Sequence, residues 1–270
     1  MIAFASNSLL CRAALKQTGI DAATFTSVRI ISGAVALWII VKLRKDFTAI
    51  AGTWASAFAL FTYAAAFSFA YNTLAAGTGA LLLFGAVQAT MIVWSLRRGE
   101  RLDVIQWLGL SLAVIGLIAL VFPGLSAPPV AGSILMVCAG VAWGIYSLRG
   151  QKETRPVSAT AGNFIRALPF AIVVSLLFLP AIRLDLVGIL YAIVSGAITS
   201  GIGYVLWYAA LPELKGASAA TVQLSVPVLA ATGGILLLGE SVTVRYLLAS
   251  SAILGGIALV VLERRLRGED

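Results

Sequence analysis

Charged residues are scarce in this 270-residue chain: 11% are Asp, Glu, Lys or Arg, whereas 60% are hydrophobic. Water-soluble domains carry roughly 25% charged residues. The composition therefore leaves no room for a soluble catalytic domain and predicts an all-α integral membrane protein whose main surroundings are the lipid bilayer.

Histidine is absent and only two cysteines occur. The chain thus lacks the commonest metal ligand and the side chain most often used as a proton shuttle, and it contains no HExxH, phosphate-loop or Cys-His pattern. Cys11 and Cys138 lie in apolar stretches, so we expect buried, unpaired thiols. Without clustered nucleophile patterns inside the spans, the sequence predicts no metal, no cofactor and no enzymatic activity.

Apolar segments between charged or Gly/Pro-bounded breaks predict ten transmembrane helices, since about 20 apolar residues cross a bilayer. The weakest boundaries are the short turns at Asn72-Thr73 and Pro212-Glu213. The first span begins at Met1, and the others run near 26–43, 52–71, 74–96, 104–121, 130–148, 158–179, 186–208, 215–238 and 244–262.

The 19 basic residues outnumber the 11 acidic ones, but this excess does not indicate a nucleic-acid partner. With ten spans, 13 of the 19 fall on one side of the membrane, in short loops and in the tail after Leu262. Positive residues stay cytoplasmic. We therefore expect a multi-pass membrane protein with both termini in the cytoplasm.

The chain is internally duplicated. The segment from Gly77-Thr78-Gly79-Ala80 to Gly99-Glu100 returns 140 residues later, ending at Gly239-Glu240. Five spans per half is an odd number, so the second half must enter the membrane from the opposite side, as in inverted-repeat transporters. We expect a first repeat at 1–122 (its first helix shortened at the N-terminus), an inverted second repeat at 129–265, and a polar tail at 266–270.

Several motifs recur at related places in the two halves or lie in the later spans; they are Arg29, Arg166, Trp143-Gly144, Pro227-Val228, Gly99-Glu100 and Gly239-Glu240. This combination resembles the drug/metabolite transporter superfamily, in its ten-helix EamA-like branch, and is most similar there to the YddG-like aromatic amino-acid exporters. The resemblance implies two inverted five-helix repeats around a central cavity, export by alternating access and a place in the bacterial inner (plasma) membrane.

Amide and aromatic side chains within the spans are the candidate substrate-binding residues. Aromatic faces attract ammonium groups, so together with amide dipoles they suit a zwitterion with an apolar side chain. The competing interpretation is helix–helix contact for the amides and an interfacial belt for the aromatics. The candidates are Asn7, Tyr63, Gln88, Trp143, Tyr146, Asn163, Tyr204 and Gln223.

A second group is predicted to act in gating or in structure. Arg29 and Arg166 lie a few residues inside predicted spans, where they either snorkel to the headgroups or make hydrogen bonds between helices at the ends of the path. Pro227 removes a backbone hydrogen bond within its span and is a candidate hinge.

Two glutamates complete that group. Glu100 and Glu240 close the fourth and ninth spans, where they either cap or anchor the helix ends or act as gates. We expect them to satisfy loop backbone or to pair with Arg97, Arg101 or Arg245.

Glycines seven residues apart in span five, Gly109 and Gly116, and Gly255-Gly256 in span ten predict close helix packing. These helices are also the candidate contact of a homodimer.

The sequence favours an exporter of small neutral metabolites, with amino acids first and aromatic or hydrophobic ones preferred. All eleven acidic residues fall at span ends or in loops, so we expect no proton coupling through a buried carboxylate. One alternative is a carrier of nucleotide-sugars or phosphorylated sugars that uses Arg29, Arg166 and Arg12. The other is a channel, which would need a continuous polar stripe or a charged ring.

Overall fold

The computed structural model describes residues 1–43, 51–99, 102–122, 124, 127–151, 153–210 and 222–266, with the backbone alone for 261–266. Within these ranges the chain is all-helical. The helices are α1 Ile2–Gln17, α2 Ala22–Leu43, α3 Trp54–Tyr71, α4 Ala76–Arg97, α5 Val104–Val121, α6 Val130–Gly150, α7 Pro156–Leu177, a 3-10 turn Leu179–Ala181, α8 Leu186–Val194, a π-helical segment Ser195–Ile202, α9 Gly203–Ala210, α10 Ser225–Leu238 and α11 Val244–Leu266.

Among the described residues, seven helical stretches are long and apolar enough to cross a membrane: α2 to α7, and the continuous stretch Leu186–Ala210. Each coincides with a predicted span to within a few residues. The other three predicted spans correspond to α1, α10 and α11, so the count of ten and its inverted-repeat arrangement stay predictions. The predicted start of the ninth span near 215 and the turn at Pro212-Glu213 lie outside the described residues.

Local capping explains where several helices begin. Thr53 accepts a hydrogen bond from the Ser56 N–H at the start of α3, and Asp185 accepts one from the Gly188 N–H at the start of α8. Asp103 and Gln106 form a capping box at α5. These side chains satisfy the first N–H groups of each helix, which have no partner within it.

The helices run alternately up and down, so their ends form two layers. The starts of α3 and α7 and the ends of α4 and α6 surround one cavity. We call this layer of helix ends the basic end. At the opposite end, the end of α1 contacts the α3–α4 turn and the end of α10. The Asp21 carboxylate also accepts a hydrogen bond there from the Arg183 N–H, between α7 and α8.

The stretch Leu186–Ala210 is interrupted by π-helical turns at Ser195–Ile202. The interruption coincides with close packing on α2, where a Cβ added to Gly196 would overlap the Arg29 carbonyl and the Ser32 hydroxyl. Because a π turn is wider than an α turn, Ser195, Thr199 and Ser200 all face the interior. This segment supplies the centre of the molecule with hydroxyl groups.

The glycine-rich faces of α5 and α11 pack on each other. A Cβ on Gly109 would lie 2.5 Å from the Gly256 carbonyl oxygen, and one on Gly116 would lie 2.9 Å from the Ala252 Cβ. The predicted close packing therefore occurs within one chain. Gly255 faces away, with nothing within 4 Å of its added Cβ. The homodimer through these helices stays a prediction.

The cysteines are both free, as expected, but differ in environment. Cys11 is fully buried, whereas Cys138 is exposed on α6. The expectation that both are buried was wrong for Cys138, because an apolar stretch in a membrane protein has an outward face that apolar sequence alone does not distinguish.

Candidate functional site

Arg29 lies in the interior of the molecule and is 1% exposed. It is seven residues from the start of α2, a depth of about 10 Å at 1.5 Å per residue. Its Nε donates to Ser200 Oγ at 3.0 Å, and its Nη2 donates to the Tyr63 and Tyr204 hydroxyls at 3.1 and 2.7 Å. Arg29 therefore does not extend to the headgroups; it makes hydrogen bonds between helices in the interior rather than at the ends of the path. Its role in gating or in structure stays a prediction.

Asn7 lies beside this group and links α1 to it. Its Nδ2 donates to the Tyr63 hydroxyl at 3.0 Å, while its Oδ1 accepts from Ser195 and Thr199 at 2.5 and 3.3 Å. Both the nitrogen and the oxygen of the amide therefore make hydrogen bonds, as a buried polar group requires. The Tyr204 hydroxyl also donates to Tyr63, at 3.1 Å.

Aromatic rings surround these polar groups. Trp143 of α6 lies 4.6 Å from Tyr204 and 4.9 Å from Tyr63, between ring centroids. Phe4 of α1 packs edge-on against Trp143 at 5.5 Å and against Tyr204 at 5.9 Å. All these side chains are buried. We define the central cluster as Phe4, Asn7, Arg29, Tyr63, Trp143, Ser195, Thr199, Ser200 and Tyr204.

A cavity of about 480 Å³ opens at the basic end. Its lining includes Asn163, Tyr208 and Arg149. Tyr208 stacks on Tyr146 with ring centroids 5.0 Å apart, and Tyr146 lies 5.5 Å from Trp143. A continuous row of aromatic faces therefore leads from this basic-end cavity to the central cluster.

Polar side chains fix the walls of that cavity. Arg149 donates through Nε to Ser56 and through Nη2 to Thr53, at 2.9 and 3.1 Å. Asn163 Oδ1 accepts from the Thr53 N–H at 3.0 Å, and its Nδ2 donates to the Tyr146 hydroxyl at 3.4 Å. The start of α3 is thereby tied to α6 and α7.

The opposite end is tied together by an ion pair. Arg12 Nε lies 3.1 Å from Glu240 Oε1, and Arg12 Nη1 donates to the Tyr71 and Asn72 carbonyls at 2.9 and 3.2 Å. Glu240 Oε2 accepts from the Ala76 N–H at 2.8 Å, capping α4. This contact agrees with capping, one of the two roles considered for Glu240, while its role in gating stays a prediction. The expected arginine partners were wrong, because α1 brings Arg12 to this position.

Several predicted residues lie outside the central cluster. Arg166 Nη1 donates to the Ala51 and Gly162 carbonyls, towards the basic end. Gln88 lines a small apolar pocket between α4, α5 and α11. Gln223 is buried just before α10. The prediction for Glu100 falls outside the described residues.

Pro227 occupies the first turn of α10, where a missing N–H is tolerated. The helix is interrupted just before it, at Leu224. Proline cannot donate to the carbonyl four residues earlier, which accounts for a break at this place. A hinge role for Pro227 stays a prediction.

Two kinds of residue in the site were not predicted. Ser195, Thr199 and Ser200 are small residues that look like ordinary packing positions, and the π-helical turns bring Ser200 to the face that Ser195 and Thr199 share. Phe4 reads as a generic apolar residue near the chain start. Their one signal was the Ser/Thr/Gly richness of residues 195–203 within an otherwise aliphatic span.

Comparison with known proteins identifies one matching family and several proteins of similar sequence. Residues 130–262 match the EamA-like transporter family. The chain is 54% identical to an uncharacterized Pseudomonas aeruginosa protein, covering 98% of this chain and 92% of that one. It is 28% identical to a probable amino-acid metabolite efflux pump of Salmonella typhimurium, covering 71% and 69%. It is 34% identical to the threonine/homoserine exporter RhtA of Escherichia coli (strain K12), covering 53% and 50%.

The fold also has a match among solved structures. A protein crystal structure that is 16% identical in sequence aligns with a TM-score of 0.69, covering 98% of this chain and 95% of that chain. At this identity the similarity concerns the fold alone.

Proposed function

We propose that this chain, whose residues 130–262 match the EamA-like transporter family, exports small neutral metabolites across the membrane. Amino acids with aromatic or other apolar side chains are the favoured substrates. The similarity to an amino-acid metabolite efflux pump and to a threonine/homoserine exporter supports amino acids as the class.

The central cluster is the observation that carries this proposal. It combines buried aromatic faces with hydroxyl, amide and guanidinium groups in a small volume. Ligand sites are mostly apolar, with a few convergent polar groups that set orientation. Aromatic faces receive an ammonium group by cation–π attraction and an apolar side chain by burial.

Alternating access is supported by the difference between the two ends. The basic-end cavity reaches Asn163 and Tyr208, whereas Arg12, Glu240 and the α3–α4 turn are bonded together at the opposite end. Positive-inside topology would make the basic end cytoplasmic, so the described conformation would receive substrate from the cytoplasm. Rocking of two inverted five-helix halves, 1–122 and 129–265, would then open the opposite end.

We further propose that transport is uncoupled from protons. The described carboxylates cap or flank helix ends; they are Asp21, Asp103, Glu153, Asp185 and Glu240. Proton-coupled carriers place ionisable relays within the membrane. Export down the metabolite's own gradient is the simpler mechanism for this arrangement.

A phosphorylated sugar or nucleotide-sugar is the second candidate substrate, favoured by one observation: Arg29 is a buried cation that makes no ion pair within the described residues. A multiply charged anion needs more positive charge than one guanidinium. Towards the basic end, Arg149 and Arg166 are bonded to hydroxyls and carbonyls, and Arg98 lies over the Trp94 ring. Neutral amino acids therefore rank first.

Exchange by purified protein in liposomes tests the proposal. Vesicles are loaded with labelled phenylalanine, tryptophan, methionine, threonine, glutamate or a nucleotide-sugar, and release is followed with the unlabelled solute outside. We expect saturable release of the neutral amino acids at equal rates with and without a pH gradient. Release of only the nucleotide-sugar would overturn the proposed substrate class, and protein-free vesicles give the leak rate.

A further inference from the structure

Arg29 is a buried charge that makes no ion pair within the described residues. Its guanidinium carbon lies over the Tyr63 and Phe67 rings, 5.1 and 5.0 Å from their centroids. Its described hydrogen-bond partners are the neutral hydroxyls of Ser200, Tyr63 and Tyr204. A buried guanidinium without an anion costs free energy that hydroxyl groups recover only in part. Charged groups kept inside a membrane protein generally have a functional reason.

The same region also holds buried hydrogen-bond donors that have no acceptor among the described residues. Arg29 Nη1 and the indole nitrogens of Trp143 and Trp207 are buried and make no hydrogen bond within the described residues. All three groups can only donate. Phe4 contacts both indole rings, at 5.5 and 5.8 Å between centroids. Trp143 also adjoins Tyr63 and Tyr204, which accept from Arg29, so the three donors belong to neighbouring side chains.

A ligand that only accepts hydrogen bonds and carries one negative charge matches this surplus. A carboxylate has both properties, since its two oxygens accept and it pairs with guanidinium through charge-assisted bonds. A phosphate dianion would require a second cation, and Arg166 is turned away toward the Ala51 and Gly162 carbonyls. The single uncompensated charge thus indicates a monocarboxylate.

The rings between the cavity and Arg29 suit the rest of a zwitterionic molecule. Trp143 lies next to both Tyr204 and Tyr63, the two tyrosines that accept from Arg29. An α-ammonium group lies close to its own carboxylate, so it would meet these electron-rich faces. The side chain would then extend along Tyr146 towards the basic-end cavity.

We propose that Arg29 binds the carboxylate of the transported amino acid through Nη1, with the Trp143 indole N–H as a second donor. This assignment rests on the proposed function and names the group by which the substrate is held. Tyr63, Tyr204 and Ser200 act as positioning residues, because they fix the Nε and Nη2 edges of the guanidinium and leave Nη1 for the ligand.

The first test needs no variant. Labelled phenylalanine exchange by the wild-type protein is competed with phenylalanine, phenylalaninamide and phenethylamine, which keep the ring and the amine while the last two lack the carboxylate. We expect the two carboxylate-free compounds to compete about 10- to 100-fold more weakly, the range for losing a charged hydrogen bond.

The second test is the variant Arg29→Gln, with Arg166→Gln as the matched control. We expect Arg29→Gln to weaken phenylalanine binding by about the same 10- to 100-fold and to abolish the preference for phenylalanine over phenylalaninamide. Arg29→Lys keeps the charge but not the planar fork, so an intermediate preference is expected. Arg166→Gln should keep the wild-type preference, and size-exclusion profiles show whether each variant is folded.

The outcomes separate this inference from the proposed function. If the wild-type protein exchanges phenylalanine but phenylalaninamide competes equally well, Arg29 is not the carboxylate ligand and the exporter proposal stands. The same follows if folded Arg29→Gln retains the preference. If the wild-type protein exchanges no amino acid, the proposed function fails and this assignment fails with it.

Discussion

Arg29 Nη2 donates hydrogen bonds to two tyrosine hydroxyls, those of Tyr204 on α9 and Tyr63 on α3. These residues are 175 and 34 positions from Arg29 in the chain. The contact therefore joins three helices from both halves of the sequence. Its contribution to stability depends on each acceptor, because a buried charged donor that loses its partner has no water to replace it.

The variant Tyr204→Phe removes one of these acceptors while keeping the ring. We expect it to lower the free energy of unfolding by about 1–3 kcal/mol, the cost of an unsatisfied buried donor. Thermal unfolding in detergent measures the change, with Tyr191→Phe on α8 as the control outside the cluster. Equal stability of Tyr204→Phe and the wild-type protein would show that the guanidinium does not depend on this hydroxyl.

Individual site residues were predictable from the sequence only in part. Asn7, Tyr63, Trp143 and Tyr204 were recognised because polar and aromatic side chains are conspicuous in apolar spans, and they do converge. The environment of Arg29 was not predictable, since its acceptors come from distant helices and local sequence places it only a few residues from a span end. Gln88 looked equivalent to Asn7, yet its helix face points toward α5 and α11.

At the scale of helices, the π-helical segment packs closely on α2 because glycines lie at their contact. The backbone at Gly196 lies against Arg29 and Ser32, and Gly33 lies against the Phe164 ring and the Gly196 carbonyl. This contact sets the position of Ser200 beside Arg29. A side chain at Gly196 would force the two elements apart.

We therefore expect Gly196→Ala to lower the free energy of unfolding by about 1–3 kcal/mol, the range for overpacking, and to slow transport. Gly255→Ala is the matched control, because nothing lies within 4 Å of its added Cβ and alanine favours a helix by about 0.5–1 kcal/mol. Thermal unfolding of both variants gives the comparison. The packing account fails if Gly196→Ala is as stable as Gly255→Ala.

Asp21 joins the turn before α2 to the segment before α8. Burial would raise its pKa, but the hydrogen bonds from Thr24, from the Arg183 N–H and from the Ala23 N–H hold the pKa below its ordinary value. The ionised form is thus stabilised in the folded state. Its stabilising effect is fully present above the ordinary aspartate pKa and disappears as pH falls through the lower folded value.

Accordingly, Asp21→Ala should lower the melting temperature by an amount that is constant between pH 8 and about 5, and that shrinks only below about pH 4. The expected size is that of a helix N-cap, about 1 kcal/mol. Thermal unfolding at a series of pH values measures it. A difference that already disappears near pH 6 would contradict the lowered pKa.

Most helices were predictable because long apolar runs bounded by charge, Gly or Pro leave few alternatives in a membrane. The interruptions were harder. The π-helical turns at Ser195–Ile202 depend on packing against α2, which the sequence of the span does not reveal. The break at Leu224 had a local signal in Pro227, but its place in the first turn of α10 did not follow from the apolar pattern.

At the scale of the whole molecule, the Arg12–Glu240 ion pair holds the helices together at the end opposite the basic-end cavity. It joins α1, the α3–α4 turn and the end of α10. Cys11, next to Arg12 in sequence, is fully buried. It therefore offers a natural reporter of opening at this end.

Breaking the Arg12–Glu240 ion pair should make Cys11 accessible to solvent. The experiment uses a Cys138→Ser background and a small, membrane-impermeant thiol reagent. We expect Glu240→Ala to raise the labelling of Cys11 about tenfold. The reason is that losing charged hydrogen bonds worth about 1.5 kcal/mol increases the fraction of open molecules by that factor. Glu240→Gln keeps an acceptor for the Ala76 N–H and should give a smaller rise. Glu153→Gln, at the basic end, serves as the control. Unchanged labelling in Glu240→Ala would mean that this pair does not hold the end closed.

Carrier-mediated movement of a neutral amino acid is the central claim, and counterflow measures it most directly. Proteoliposomes loaded with unlabelled phenylalanine are diluted into a trace of labelled phenylalanine at equal pH on both sides. The account predicts a transient accumulation of label above equilibrium, unchanged by a pH gradient and lost in Trp143→Ala. Entry that rises only to equilibrium, as through a channel, or accumulation that requires a proton gradient would contradict it.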